Sequence, residues 1–431
     1  MEFGNQQGIY KNVDVLNPEA TQYRPDGLPE REDELSKIHS ALRHVTLPNG
    51  SPQNILVYGP TGQGKTVGVD IKTNQLVEWA DGEDDIDITV LNVSCKGAGK
   101  SWSVLSKILK QISKRGGFDG TEYESNPSPT GRTRDVLFNM VVAGLENIGG
   151  IIILVLDEID GITEDDYVLY EFPRLSLENG SIGVIGITND YTFHNNLDAD
   201  VRSSLGDREA VFTPYNADQL RNILSRRAAL GIKDTWFEGD EKTHSNLQSD
   251  VLDDGVIPLC AALSGQDTGD ARQAIRLFSS ACDSALDNGS ETVTEMHVHI
   301  ARQEIEETTI AKAISGETVQ RKLTLLSVLI AYIREDTPVE TRVLFEIYKD
   351  LADMADTDSY MIGTFRRKLE DLSHGNIIKS EKYSRGKDRG VTNRYSLVVD
   401  PSIVAEKLLA DSRLSDVSES VIPEGWVEEN L

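Results

Sequence analysis

Five short apolar runs constrain this chain more than any other feature. They are "NILVYG" (54–59), "ITVLNVSC" (88–95), "GIIILVLDEID" (150–160), "IGVIGITND" (182–190) and "EAVFTPY" (209–215). Each is followed by a helical pattern or a loop. A strand with few polar positions is covered on both faces, as in a parallel sheet held between helices. Strand–helix alternation of this kind predicts an α/β fold with helices on both faces of the sheet. From Asn216 the strands stop. "NADQLRNILSRRAALG", "DVLDDGVIPLCAALSG", "GDARQAIRLFSSACDSALDNG" and "TEMHVHIARQEIEE" all read as helices, so 216–312 is expected to be a small all-α domain.

A third block, 320–400, opens with three helical patterns: "RKLTLLSVLIAYIRE", "VETRVLFEIYKDLADMA" and "SYMIGTFRRKLEDLSHG". Two strand patterns follow, "NIIKSEKY" and "VTNRYSLV", joined by the basic loop "SRGKDRG". Three helices and a two-stranded wing predict a winged helix. Residues 1–20 are polar and aperiodic and are expected to form a mobile arm. Residues 21–215 make the base that holds the sheet, and 401–431 are expected to be a loosely held acidic tail. Several domains suit a chain of 431 residues, because single cores stop growing at about 250–300.

Other classes are disfavoured. "MEFGNQQGIYKN" has neither the basic nor the apolar region of a signal peptide. The longest apolar run, "IIILVL", is far short of the roughly 20 residues that span a bilayer. A cytoplasmic protein with no membrane partner is expected. Cys95, Cys260 and Cys282 are odd in number and far apart, so no disulfide framework or metal pair is visible. His297 and His299 stand two apart on a predicted helix and cannot face one ligand. The net charge of −28 comes from acids spread along the whole chain. One explanation is a protein that avoids nucleic acid. The spread favours another, a surface adapted to high salt, where the Debye length falls to about 3 Å at 1 M.

The chemistry begins at "VYGPTGQGKT" (57–66). Gly59 to Thr66 fits G-x-x-x-x-G-K-[ST]. Gly59, Gly62 and Gly64 let the backbone N–H groups turn inward around phosphates, with Pro60, Thr61, Gln63 and Val67 completing the loop. The helix after it adds its positive end. Lys65 is placed for the β- and γ-phosphates, and Thr66 for Mg2+. "IIILVLDEID" then delivers Asp157 and Glu158 at a strand end. Asp157 is expected to hold Mg2+ through water, and Glu158 to activate the attacking water. Asn189, at the tip of the next strand, is expected to touch the γ-phosphate or that water. Two arginines suit hydrolysis. Arg272 follows a capping Asp270 in the all-α domain, and Arg202 in "DADVRSSLG" is placed to reach a neighbouring subunit.

Together these parts resemble the AAA+ ATPases, and among them the archaeal origin-recognition and cell-division-cycle replication initiators of haloarchaeal type. The resemblance covers roughly residues 20–400. It rests on "YRPDGLPEREDEL" before the first strand and on a long gap between Lys65 and Asp157. It rests also on the order of "VRSSLG", "VFTPYNADQLRNILSRR" and "GDARQAIRLFSSA", and on the winged helix that follows. It implies an AAA+ P-loop parallel sheet, an α-helical lid, a C-terminal winged helix and ATP or ADP with Mg2+. It places Arg31 near the nucleotide, and Tyr215 and Arg227 at the hinge that touches it. The insertion, about 96–135, is implied to meet DNA through Gly131, Arg132 and Arg134.

The winged helix also answers the charge. From Ser359 to Leu397 stand Arg366, Arg367, Lys368, Lys379, Lys382, Arg385, Lys387, Arg389 and Arg394 against four acids. "SYMIGTFRRKLEDL" is expected to enter the major groove with Arg366, Arg367 and Lys368. Arg385, Lys387 and Arg389 on the wing are expected to meet phosphates or the minor groove. The function expected is an ATP-dependent initiator with slow, switch-like hydrolysis. It would bind double-stranded origin DNA, self-associate there and help load the replicative helicase. The same parts also suit an ATPase that regulates transcription or plasmid maintenance, or a DNA-binding module whose nucleotide site does not hydrolyse.

Overall fold

The computed structural model describes residues 8–18, 27–47, 50–83, 86–193, 197–206, 208–384 and 391–430. They form two compact units that divide between His299 and Ile300. In the first, β1 (Ile55–Tyr58), β2 (Ile88–Ser94), β3 (Gly150–Asp157), β4 (Gly180–Thr188) and β5 (Glu209–Val211) make a parallel sheet. Its order is β2-β3-β4-β1-β5. These are the five apolar runs of the sequence.

Strand residues divide alternately between two cores. Leu56, Ile152, Leu154 and Leu156 pack with Val104, Ile108, Met140 and Val141, from helices Ser101–Lys114 and Arg134–Ile148. Val57, Ile153, Val155, Ile185 and Ile187 pack with Ile38, Leu42, Val69 and Leu76, from helices Glu32–Leu42 and Lys65–Ala80. A period of two with both faces covered is what makes the runs continuous. Each such side chain stabilises the fold by about 1.5–3 kcal/mol when fully buried.

The free edge of β2 is closed by a helix. Lys107 Nζ donates to Ser94 O at 2.6 Å, Gln111 Nε2 to Asn92 O, and Arg115 Nη2 to Val90 O at 3.1 Å. Four residues of helix rise about 6 Å, and two residues of strand about 6.6 Å. Donors spaced by four therefore match carbonyls spaced by two, and the edge cannot pair with another chain.

The lid belongs to the same unit. It contains helices Ala217–Gly231, Val256–Asp267 and Ala271–Asp287. It also contains an antiparallel hairpin, β6 (Thr235–Phe237) with β7 (Leu247–Ser249), where the sequence predicted helices alone. Three-residue strands are too short to show a period.

The mobile arm expected over 1–20 is corrected for residues 8–18, which are fixed to the lid. Lys11 and Asn12 N–H donate to Gly231 O at 2.7 and 3.0 Å, and Lys233 N–H donates to Ile9 O at 3.0 Å. Tyr10 OH donates to Asp283 Oδ1 at 2.6 Å. Ile9, Val15 and Leu16 are buried. Three well-placed apolar side chains suffice to dock a segment that reads as polar overall.

In the second unit, helices Val319–Ile333, Thr341–Met354 and Ile362–His374 pack with a small sheet. The sheet joins β8 (Val339–Glu340), β10 (Val391–Leu397) and β9 (Ile378–Ser384) in the order β8-β10-β9. The loosely held tail is a second correction. Residues 401–430 form helices Pro401–Leu409, Ser415–Val421 and Glu424–Asn430. Val404, Leu408, Leu414, Val417 and Ile422 complete the same core. Asp411 Oδ2 lies 2.6 Å from the buried Lys322 Nζ. Hydrogen bonding from Arg413, with Lys322 adding to it, holds the Asp411 carboxyl well below the usual carboxylate range.

Leu408→Ala is expected to cost about 2–5 kcal/mol, as truncations of fully buried leucines do. Hydrogen exchange of the helix Val319–Ile333 in the full chain measures it. A loosely held tail would give under about 0.5 kcal/mol.

Candidate functional site

Parallel strands bring their carboxyl ends to one edge of the sheet. Because β4 lies between β3 and β1, Asp157, Asn189 and Gly59 end up side by side at that edge. Open α/β sheets bind ligands in this position. The loop Gly59–Thr66 turns from β1 into the helix that begins at Lys65. Gly62 has φ +73°, and a Cβ there would lie 1.7 Å from Asp270 Oδ1. The lid therefore rests directly on the loop, and only glycine fits between them.

Lys65 is buried, and its Nζ donates to Gly59 O at 2.7 Å and Pro60 O at 2.5 Å. Burial pushes its pKa down to about 8, with Asp157 and Asp160 opposing the shift. Thr66 Oγ1 donates to Asp157 Oδ2 at 2.9 Å. Burial raises the Asp157 carboxyl, and the bond from Thr66 lowers it. A buried ammonium on a glycine-rich loop at the start of a helix suits an anionic phosphate chain. A hydroxyl facing a carboxylate offers the hard oxygens that Mg2+ takes. The residues fit both groups.

Glu158 follows Asp157 in the left-handed region, at φ 55° and ψ 49°. Such strain in a non-glycine residue costs about 1–2 kcal/mol and gathers at functional sites. Its Oε1 lies 3.7 Å from Lys96 Nζ. Asn189 is half-buried, and its carboxamide has no hydrogen-bond partner among the described residues. Its backbone is held by Asp160, whose Oδ1 accepts from Thr188 Oγ1 at 2.8 Å and Asn189 N–H at 3.3 Å. Sequence reasoning passed over Asp160, although it is the last acid of "DEID". Arg272 is exposed in the first turn of its helix, where Asp270 Oδ1 accepts its N–H at 2.7 Å. Its positive charge adds to the lowering of the Lys65 pKa, after burial. Pro60, Thr61, Gly64 and Val67 lie on the loop and first turn as expected, with Thr61 and Val67 exposed.

Arg31 and Tyr215 lie against the phosphate loop, while the other expected arginines turn to protein groups. Arg31 is only 2% exposed. It joins Glu34 Oε1 at 2.8 Å, Gln63 Oε1 at 3.1 Å and Thr213 O. It also lies over the Tyr215 ring at 3.7 Å. Tyr215 OH donates to Gln63 O at 3.2 Å, Arg31 covers one face of its ring, and burial raises its hydroxyl pKa. Arg227 Nη1 donates to Val15 O at 2.5 Å, on the N-terminal segment. Arg202, expected to project outward, turns back to Leu197 O at 3.0 Å. In the insertion, Arg132 donates to Ser128 O and Asn126 O, both at 3.0 Å, and so shapes its own loop. Arg134 lies 3.9 Å from the Tyr167 ring centroid and 3.1 Å from Asp135 Oδ1. Gly131 stands open, with nothing within 4 Å of a Cβ built there.

On the winged helix, Phe365, Leu369 and Leu372 are buried while Arg366 and Arg367 are exposed. Lys368 lies 3.5 Å from Asp371 Oδ2. Arg385, Lys387 and Arg389 fall outside the described residues.

A parallel sheet with a phosphate loop, an acidic strand end and a helical lid defines an AAA+ ATPase domain. Residues 49–187 match the family described as AAA domain. Residues 240–303 match the Cdc6 AAA+ ATPase-type lid domain, and 312–407 the CDC6 C-terminal winged helix domain. The chain is 34% identical to ORC1-type DNA replication protein 1 of Haloarcula marismortui, over 96% of each chain. It is 33% identical to ORC1-type DNA replication protein 8 of Halobacterium salinarum, over 94% of this chain and 97% of that one. A solved structure, the Aeropyrum pernix ORC1 protein in complex with DNA, matches with a TM-score of 0.72 and 31% identity, over 95% of this chain and 99% of that one. This chain belongs to the family of ORC1-type DNA replication proteins. Among the described residues, no helix is long and apolar enough to cross a membrane.

The lowered Lys65 pKa of about 8 has a measurable sign. Phosphates favour the protonated lysine, so above pH 8 nucleotide binding must take up a proton. Calorimetry at pH 9 in two buffers of different ionisation heat is expected to show uptake of about 0.9 proton per nucleotide. Affinity is expected to fall by up to about tenfold per pH unit above 8. Lys65→Arg removes both effects. No uptake at pH 9 contradicts the assignment.

Proposed function

We propose that this protein is an ATP-dependent replication initiator. It binds duplex origin DNA, self-associates there and helps load the replicative helicase, with ATP binding and slow hydrolysis as the switch. The observation that carries this proposal is the seat of the lid on the phosphate loop. Ala271 N–H donates to Gly62 O at 3.3 Å, one residue before Arg272. A ligand that reshapes the loop therefore moves the lid. A nucleotide placed there acts on conformation, as a switch does.

The residues divide the work of hydrolysis. Lys65 and the loop amides bind the phosphates. Glu158 takes a proton from the attacking water, and Asn189 orients that water. Arg272 meets the charge that develops on the terminal phosphate. Mg2+, when bound by Thr66 and Asp157, neutralises phosphate charge.

The DNA half of the proposal rests on the helix Ile362–His374. Arg366 and Arg367 are exposed near its start, on the side away from Phe365 and Leu369. A winged-helix domain that presents basic residues near the N-terminus of this helix suits the major groove. The similar Aeropyrum pernix protein is solved with DNA.

ATP turnover of the wild type and Glu158→Gln, each with and without a duplex carrying origin-type inverted repeats, tests this function. The variant is expected to bind ATP and duplex but to hydrolyse about 10²–10⁴-fold more slowly. Equal turnover refutes the role of Glu158. Tight ATP binding without turnover in either protein refutes the hydrolytic switch.

A further inference from the structure

The phosphate loop contains one long side chain besides its lysine. Gln63 is fully buried, and its amide makes four hydrogen bonds. Its Oε1 accepts from Arg31 Nη2 at 3.1 Å and from Tyr215 N–H at 3.2 Å. Its Nε2 donates to Thr61 O at 3.2 Å and to Gly269 O at 3.0 Å. Two donors and two lone pairs are the full capacity of a carboxamide. The orientation follows from its partners, since a flipped amide would face a guanidinium and an N–H with its own N–H groups.

Each partner lies on a different element. Arg31 precedes the helix Glu32–Leu42, and Tyr215 is at the hinge before the helix Ala217–Gly231. Gly269 is the residue before Asp270, which caps the helix that carries Arg272. The approach at Gly269 is close. Its φ is +62°, and a Cβ there would lie 2.6 Å from Tyr215 O. Tyr215 N–H also donates to Gly269 O at 3.1 Å. The start of the Arg272 helix is thus held to the hinge and the loop together, and Gln63 is the side chain common to both.

We infer that Gln63 is a positioning residue for hydrolysis: its amide fixes the start of the Arg272 helix against the phosphate loop. The loop amides bind phosphate through the backbone and do not need this side chain. Gln63 therefore governs turnover by placing Arg272 and leaves nucleotide affinity nearly unchanged. The inference rests on the proposed ATPase activity.

Gln63→Glu separates the two halves of the network. A carboxylate still accepts from Arg31 and Tyr215. It has no donor for Thr61 O and Gly269 O, and it sets acceptor against acceptor there. ATP turnover and ATP affinity are measured for wild type, Gln63→Glu, Gln63→Met, Arg272→Ala and the double variant. Gln63→Glu is expected to lower kcat about 5- to 100-fold, as loss of a buried hydrogen bond does, and its added negative charge also weakens ATP affinity. Gln63→Met, which adds no charge, is expected to lower kcat with ATP affinity changed less than about threefold. The double variant is expected to turn over no more slowly than Arg272→Ala alone. Gly269→Ala, which forces the lid from the hinge and pulls Gly269 O from Gln63 Nε2 with the loop sequence unchanged, is expected to give the same loss of kcat should Gln63→Glu not fold.

Losses that multiply in the double variant overturn the inference. So does a fall in affinity with kcat unchanged, or normal turnover in Gly269→Ala. A wild type without turnover, with or without duplex DNA, is a different failure: it removes the ATPase activity itself.

Discussion

A single buried guanidinium organises the nucleotide-binding unit. Arg31 is almost wholly removed from water, yet its charge is met on several sides. Glu34 supplies the carboxylate, Gln63 and Thr213 supply oxygens, and the Tyr215 ring covers a face. A buried charge is tolerated only when paired and hydrogen-bonded in this way, and removing one partner of such a pair costs about 3–5 kcal/mol. A planar fork is needed to reach these partners at once, which a lysine does not offer. The consequence is mechanical. The segment before the first helix, the phosphate loop and the lid hinge share one anchor, so none of them moves alone.

That coupling was only half legible in the sequence. The five strands were visible because both faces of the sheet are covered and their apolar runs are nearly continuous. The phosphate loop and the acids after β3 were visible because their spacing is set by bonds along one backbone. What spacing does not show is where a long side chain turns. Arg132, Arg202 and Arg227 were expected at DNA or nucleotide, and each donates to a backbone carbonyl of its own chain. Gln63 read as one more residue of the phosphate loop, and its partners lie up to 206 residues away. The N-terminal segment and the C-terminal helices were hidden for another reason. Their few core residues are scattered among polar and acidic ones, and the chain-wide excess of acid makes such segments look unstructured.

The acidic background gives the basic helix its meaning. A net charge of −28 repels nucleic acid at low salt, while at high salt that repulsion is screened over a few ångströms. The haloarchaeal relatives agree with such a surface. Arg366 and Arg367 stand exposed on this background, and hydrogen bonds made at contact distance are screened less than long-range repulsion.

The proposed switch requires that bound nucleotide and bound DNA influence each other. The affinity of the full chain for one origin-type duplex, measured with bound ADP and with a non-hydrolysable ATP analogue, tests this. The two affinities are expected to differ by about 5- to 150-fold, and the duplex must shift the preference between the two nucleotides by the same factor. Equal DNA affinity in both nucleotide states would contradict the account.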